Sequence, residues 1–176
     1  MIILIRHAKT KGNLKKRYIG TTDEPILQGT RLEKQYPQAE IIISSPMRRC
    51  IETAQLIYPG KKIRVYKDLS EINFGKFENK SYEDLKDDQY YKQWIASNGK
   101  LPFPDGESAD KFRERSINAY NAVLENFSDK NIAFIVHGGT IMAVMSHIFG
   151  GDFYDYMTDN LSGFKFNAGE KNYKRI

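Results

Sequence analysis

The sequence predicts an α/β chain, a three-layer α/β/α sandwich around a mostly parallel central sheet. Three short runs, Met1–Ile5, Ala39–Ile43 and Ile132–Val136, are almost continuously apolar. Strands covered by helices on both faces look like this, whereas half-exposed strands alternate. Between the runs lie segments with apolar residues at helical spacing, and strands alternating with helices pair in parallel through crossovers. At 176 residues the chain has the size of one domain with its own core, 1–176, and no internal repeat divides it.

The elements follow in order. Met1–Ile5 is the first strand and stops abruptly at Arg6-His7. Ala39–Ile43 is the second, ending at Ser44-Ser45-Pro46, where a proline near a helix start costs little because its missing N–H would be unpaired anyway. Met47–Ile57 then sets Ile51, Ala54 and Ile57 along one helical face, and Ile63–Tyr66 makes a shorter strand. The stretch 74–107 is polar, aromatic and poorly periodic. It predicts an excursion from the sheet that covers a site, as long irregular segments often do, with too polar a sequence to exclude water well. Ser108–Phe127 is the longest helix, with Phe112, Ile117, Tyr120, Val123, Leu124 and Phe127 near the 3.6-residue period. Ile132–Val136 is the third buried strand and runs into His137. Thr140–Phe149 is a further helix, on which His147 falls at core-like spacing. Phe164–Phe166 and Tyr173–Ile176 close as a hairpin around Ala168-Gly169-Glu170.

Composition narrows the function. With 40% hydrophobic and 28% charged residues the chain is ordinary in composition, so disorder is not expected. One cysteine, Cys50, excludes an internal disulfide framework and a cysteine-rich metal site, and fits a reducing compartment. The five-residue apolar start is too short for a signal peptide or a membrane span, which predicts a cytoplasmic protein. The net charge of +5 suits anionic partners. Its densest cluster, Lys9, Lys11, Lys15, Lys16 and Arg17, carries no nucleic-acid-binding motif. The expected partner is a small anionic molecule, with no nucleic acid and no membrane, for a monomer or homodimer.

Two buried strands end in histidine, at Arg6-His7 and His137-Gly138, and a third is followed by Arg48-Arg49. In parallel α/β sheets ligands bind beyond the carboxyl ends of the strands. If these strands are neighbours, Arg6, His7, Asn13, Arg49 and His137 meet in one crevice. They supply what a phosphoryl group needs: forked donors for its oxygens, positive charge and a nitrogen nucleophile. Three histidines in all, with no His-x-x-x-His spacing and no paired aspartates, make a dedicated metal site an unattractive alternative. No metal or other cofactor is expected.

Four segments carry a resemblance. LIRHAKTKGN is similar to the Arg-His-Gly-x-Thr-x-x-Asn signature of the histidine phosphatases, the superfamily that includes the cofactor-dependent phosphoglycerate mutases. SSPMRRCIETA resembles its Ser-Ser-Pro-Leu-x-Arg-x-x-x-Thr-Ala segment and aligns Arg49, not Arg48, with the phosphate-binding arginine. LSEINFGKFEN resembles its acid segment and aligns Glu71, with Glu78 as a nearby competitor. IVHGGTI resembles the second histidine segment. The four occur in family order across most of the chain.

The resemblance implies a phosphoglycerate mutase-like fold and a division of labour. His7 is the nucleophile, Glu71 the general acid and His137 a catalytic partner. Arg6, Asn13, Arg49, Gly20, Thr21 and Gly138 bind substrate. It implies hydrolysis of a phosphate monoester through phosphohistidine, the activity of a histidine acid phosphatase-type hydrolase. The small bacterial phosphatases similar to α-ribazole phosphatase fit best, since they share a Gly-Glu-Ser segment (Gly106-Glu107-Ser108) ahead of a long helix, and His-Gly-Gly-Thr at the second histidine. Ala8 and Lys9 depart from the usual glycine and acidic residue. Arg-His-Ala-Lys also occurs in phosphatases that act on phosphohistidine in proteins, so that activity stands as an alternative. Phosphoglycerate mutase and a non-catalytic phosphate-binding module are the other two.

Overall fold

The computed structural model describes residues 1–176. Strand β1 (Ile2–Arg6) leads through a one-turn helix α1 (Lys11–Leu14) and a long irregular stretch to β2 (Ile41–Ser44). Helix α2 (Arg48–Ile57) and strand β3 (Ile63–Val65) follow. Short helices α3 (Tyr82–Leu85) and α4 (Gln89–Ala96) sit in the excursion. Helix α5 (Ala109–Asn126), strand β4 (Ile132–Val136) and helix α6 (Gly138–Phe149) come next, and β5 (Gly163–Phe166) and β6 (Tyr173–Arg175) end the chain. The six strands form one sheet in the order β3-β2-β4-β1-β5-β6. The first four are parallel, and β5 pairs antiparallel with both β1 and β6.

Alternation along each strand divides the core between the two faces of the sheet. Ile2 and Leu4 of β1, with Phe134 and Val136 of β4, pack under α5 and α6 against Tyr120, Val123, Ile141 and Val144. Ile3 and Ile5, with Ala133 and Ile135, pack on the opposite face against Cys50 and Ala54 of α2. This is the predicted three-layer sandwich, and element ends shift by a residue or two. Ser108 is the cap of α5, its hydroxyl accepting from the Lys111 amide, not its first residue. Helix α6 begins at Gly138, two residues before the expected Thr140, so both glycines after His137 belong to its first turn. His147 lies on the exposed side of α6, not in the core.

The excursion departs most from expectation. It is polar outside and aromatic inside: Phe77, Leu85, Tyr91, Trp94 and Phe103 are buried and pack with Phe112 of α5 in a third core cluster. Phe77 lies edge-on to Tyr91, Trp94 and Phe103 at 5.2, 5.9 and 5.7 Å between ring centres. These rings come from a 3-10 turn at Gly75–Phe77, from α4 and from the loop at Phe103, so no single period reveals their common face.

Candidate active site

The sheet order explains why distant residues meet. Strand β4 lies between β1 and β2 and is parallel to both. The residues just beyond the carboxyl ends of these three strands, His7, Ser45 and His137, are therefore neighbours. The parallel ladder runs on to them, with the His7 amide donating to Val136 O and the Ser45 amide to Ile135 O.

His7 is 4% exposed. Its Nδ1 lies 2.7 Å from the Ala8 carbonyl. A carbonyl only accepts, so Nδ1 carries the proton and Nε2 keeps its lone pair. Burial, then the nearby Arg49 guanidinium, push the His7 pKa down to about 3. The imidazole is neutral, as a nucleophile must be. His137, the N-cap residue of α6, is fully buried. Its ring centre lies 5.2 Å from that of His7, and its Nε2 shares a 2.7 Å hydrogen bond with Ser45 Oγ. Burial first, and Arg49 next, hold its pKa well below the ordinary histidine value.

Arg49 is a fully buried cation. It donates to the carbonyls of Thr22 at 2.8 Å and Gly20 at 2.9 Å. Arg6 donates to Thr158 O at 2.7 Å. Neither makes a salt bridge, and the Nε of each is buried without a hydrogen-bond partner. A buried guanidinium without a salt-bridge partner costs several kcal/mol. Arg49 is one; Arg6, half-buried with Glu71 and Asp159 in its neighbourhood, joins it at the same sheet edge beside the positive N-terminal end of α6, a corner suited to an anion. Arg48, by contrast, is exposed and pairs with Glu52 at 2.6 Å.

The two candidate acids separate by position. Glu71 borders the same cavity as Arg6, Gly138 and Gly139, and its Oε2 accepts from the Gly139 amide at 3.2 Å. A Cβ at position 139 would collide with the Glu71 carboxylate, so only glycine lets the acid approach the helix. Burial raises the Glu71 pKa, outweighing the amides of Ile72 and Gly139 and the two arginines that lower it. Glu78 is occupied elsewhere: its Oε1 accepts from the amides of Gly20 and Thr22, at 2.9 Å each, and ties down the loop whose carbonyls hold Arg49.

The remaining expected residues fall into place unevenly. Gly20 is buried, and a Cβ there would collide with Ile72 O, so its role is close packing beneath Arg49. Thr21 is exposed, and the carbonyl Arg49 uses is that of Thr22; here the structure departs from the expected pair. Asn13 Oδ1 is engaged within the protein, accepting from the Thr10 amide in a capping box and from Asn160 Nδ2. Gly138 lies against the Arg6 guanidinium, with room for a methyl group at 3.6 Å.

Sequence reasoning passed over several participants. Ser45 and Thr53 lie within SSPMRRCIETA. Thr53 Oγ1 accepts from the Ala8 amide and donates to Arg49 O, joining the loop after β1 to α2. Thr158 and Asn160, whose Nδ2 donates to His7 O at 2.8 Å, come from a segment with no motif to mark it.

From the anion end a cavity of about 290 Å³ extends beneath the excursion. Tyr18, Phe74, Trp94, Phe103, Phe112 and Phe153 are among its walls. The expectation of a cover poorly suited to exclude water is corrected on this point, since the lining is mainly apolar. No group of three or more His, Cys, Asp or Glu side chains is placed to hold a metal, and no helix is long and apolar enough to cross a membrane.

Comparison with known proteins agrees with this geometry. A protein of Hydrogenobacter thermophilus named "Putative phosphoserine phosphatase 2" is 27% identical over 160 residues, covering 85% of this chain and 78% of its own. The α-ribazole phosphatase of Shigella flexneri has the same fold, with a TM-score of 0.78 at 21% identity over 95% of this chain and 91% of its own. A phosphoglycerate mutase of Thermus thermophilus superposes with a TM-score of 0.76 at 27% identity, over 99% and 97%. The model of the histidine phosphatase superfamily (branch 1) matches residues 2–169. A neutral buried histidine, two unpaired arginines and a raised carboxyl at one sheet edge thus sit in a chain that belongs to the histidine phosphatase superfamily, among phosphatases and mutase-like enzymes.

Proposed function

We propose that the chain is a metal-independent phosphomonoesterase that hydrolyses a small phosphate ester through a phosphohistidine on His7. The observation that carries this is the Arg6–Arg49 pair, neither held in a salt bridge, around an imidazole whose Nδ1 proton is tied to a carbonyl. His7 Nε2 attacks phosphorus, and the ester P–O bond breaks. Arg6, Arg49 and His137 neutralise the charge on the phosphoryl oxygens, where preorganised donors act most strongly. Glu71, whose acid form burial favours, gives its proton to the leaving oxygen. The resulting carboxylate takes a proton from water, which attacks phosphorus, breaks the P–N bond and frees orthophosphate and His7. Two arginines supply the charge a metal would otherwise bring.

The cavity wall bears on the alcohol. Aromatic walls favour a flat, apolar leaving group, which suits α-ribazole 5′-phosphate, an ester carrying a flat aromatic base, better than the charged glycerate of a mutase. One observation supports a transfer reading as well: the apolar lining would keep water from the phosphohistidine. The test is a panel of metabolite phosphates assayed for released orthophosphate after EDTA dialysis, beside a coupled assay with 3-phosphoglycerate and 2,3-bisphosphoglycerate. Release from aromatic esters without metal is expected. Isomerisation much faster than release would replace hydrolysis by transfer, and activity regained only with a divalent ion would overturn the mechanism.

A further inference from the structure

Glu71 stands on irregular backbone. Its carboxylate touches only two amides, those of Ile72 and Gly139, so the backbone sets where it lies. Arg115, on α5, holds that backbone from below. Its Nη1 donates to Asp68 O and Ser70 O, both at 2.7 Å, and its Nη2 to Glu71 O at 3.1 Å. Its Nε and Nη2 also grip the Glu107 carboxylate in a fork, at 2.6 and 2.8 Å. All five donors of the guanidinium are therefore used.

Glu107 completes the hold from the other side. Its amide donates to Asn73 O at 2.9 Å, and its Oε2 accepts from the Asn73 amide at 3.4 Å. The pair is largely withdrawn from water, with side-chain exposures of 24% and 17%, and the guanidinium stacks on the Phe112 ring at 4.9 Å. An exposed ion pair contributes little. This one instead spends its whole hydrogen-bonding capacity on a single short stretch and on the carboxylate that shares it.

We infer that Arg115 and Glu107 form a clamp that sets the position of Glu71, which makes Arg115 a positioning residue for proton transfer to the leaving group. The inference rests on the reading of Glu71 as general acid. It also gives the Gly106-Glu107-Ser108 segment a purpose: its serine caps α5, and its glutamate locks the arginine two turns further on. Lysine cannot replace the arginine, because an ammonium lacks the planar fork. Misplacing a reacting group by about 1 Å can cost on the order of 100-fold in rate.

The test uses the dependence on leaving group. p-Nitrophenolate departs without a proton, whereas an alkoxide such as that of propyl phosphate needs one. The ratio kcat/KM covers only the steps up to formation of phosphohistidine, so it isolates the acid role of Glu71 from its role toward water. Glu71→Gln is expected to lower kcat/KM for propyl phosphate by about 100-fold or more and for p-nitrophenyl phosphate far less. Arg115→Met and Arg115→Lys should show the same selective loss, on the order of 10-fold for the alkyl ester. Glu107→Gln should show a smaller one. In a Glu71→Gln background, Arg115→Met should add less than about twofold, because its effect passes through Glu71. Circular dichroism melts accompany each variant, and Glu107→Gln, which changes one charge and no shape, serves if the arginine variants fail to fold. Equal losses on both esters, or full additivity with Glu71→Gln, would overturn the clamp. Equal losses in Glu71→Gln itself would instead overturn the general-acid reading.

Discussion

At the scale of single residues, environment assigns roles that chemistry alone leaves open. His7 and His137 are both buried, yet only His7 has a ring nitrogen fixed by a backbone carbonyl. Arg48 and Arg49 are adjacent, but α2 turns one into water and the other into the interior. Glu71 and Glu78 divide in the same way, one beside the anion site and one beneath a loop. Glu78→Gln should therefore act mainly on stability. Losing the charged acceptor of two amides is expected to cost about 1–3 kcal/mol, read in urea melts, while kcat/KM of the folded protein falls by less than about 10-fold. A loss of activity matching that of Glu71→Gln would exchange their roles.

At the scale of elements, the excursion behaves as a small core of its own. Phe77 is 2% exposed and touches rings from α4 and from the Phe103 loop. Phe77→Ala should cost about 3–5 kcal/mol, as large aromatic truncations in cores do. Trp94 and Phe103 wall the cavity and lean on Phe77. The same variant should then lose kcat/KM on aryl esters more than on small alkyl esters, where the wall matters less. Equal losses on both ester types would show that the cover does not recognise the alcohol.

At the scale of the whole molecule, burying two neutral histidines links folding to pH. In the unfolded chain each titrates near the ordinary value of about 6.5. In the folded chain His7 is held down to about 3 and His137 well below its usual value. Across this window the unfolded state binds protons that the folded state refuses. The stabilisation is complete above about pH 6.5 and is lost as pH falls, by up to about 1.4 kcal/mol per pH unit for each histidine. Glu71 acts in the opposite sense. Its pKa is raised on folding, so its contribution is present at low pH and is lost as pH rises through the raised value. Urea midpoints between about pH 5 and 7 should fall with acid, and His7→Asn should remove one histidine's share of the slope. An unchanged slope in that variant would mean that His7 is not held neutral by folding.

The sequence by itself determined the sandwich, the order of its strands along the chain and most of the residues that meet at the carboxyl edge of its sheet. The reason is that these are local signals: continuous apolar runs mark doubly covered strands, and Arg6, His7, Arg49 and His137 stand at or just beyond their ends. The segment LSEINFGKFEN pointed to Glu71 with Glu78 as a competitor, and only packing gave the two their different surroundings. Tertiary structure alone decided the rest. The aromatic face of the excursion is assembled from positions 77, 91, 94 and 103 without a shared period, so only packing brings it together. The bonds from Thr158 and Asn160 to the Arg6-His7 corner span about 150 residues and depend on where β5 joins β1. The grip of Arg115 on the Glu71 backbone needs α5 laid against an irregular loop. A side chain's chemical type is written in the sequence, but the distance to its partner is set by how the layers close.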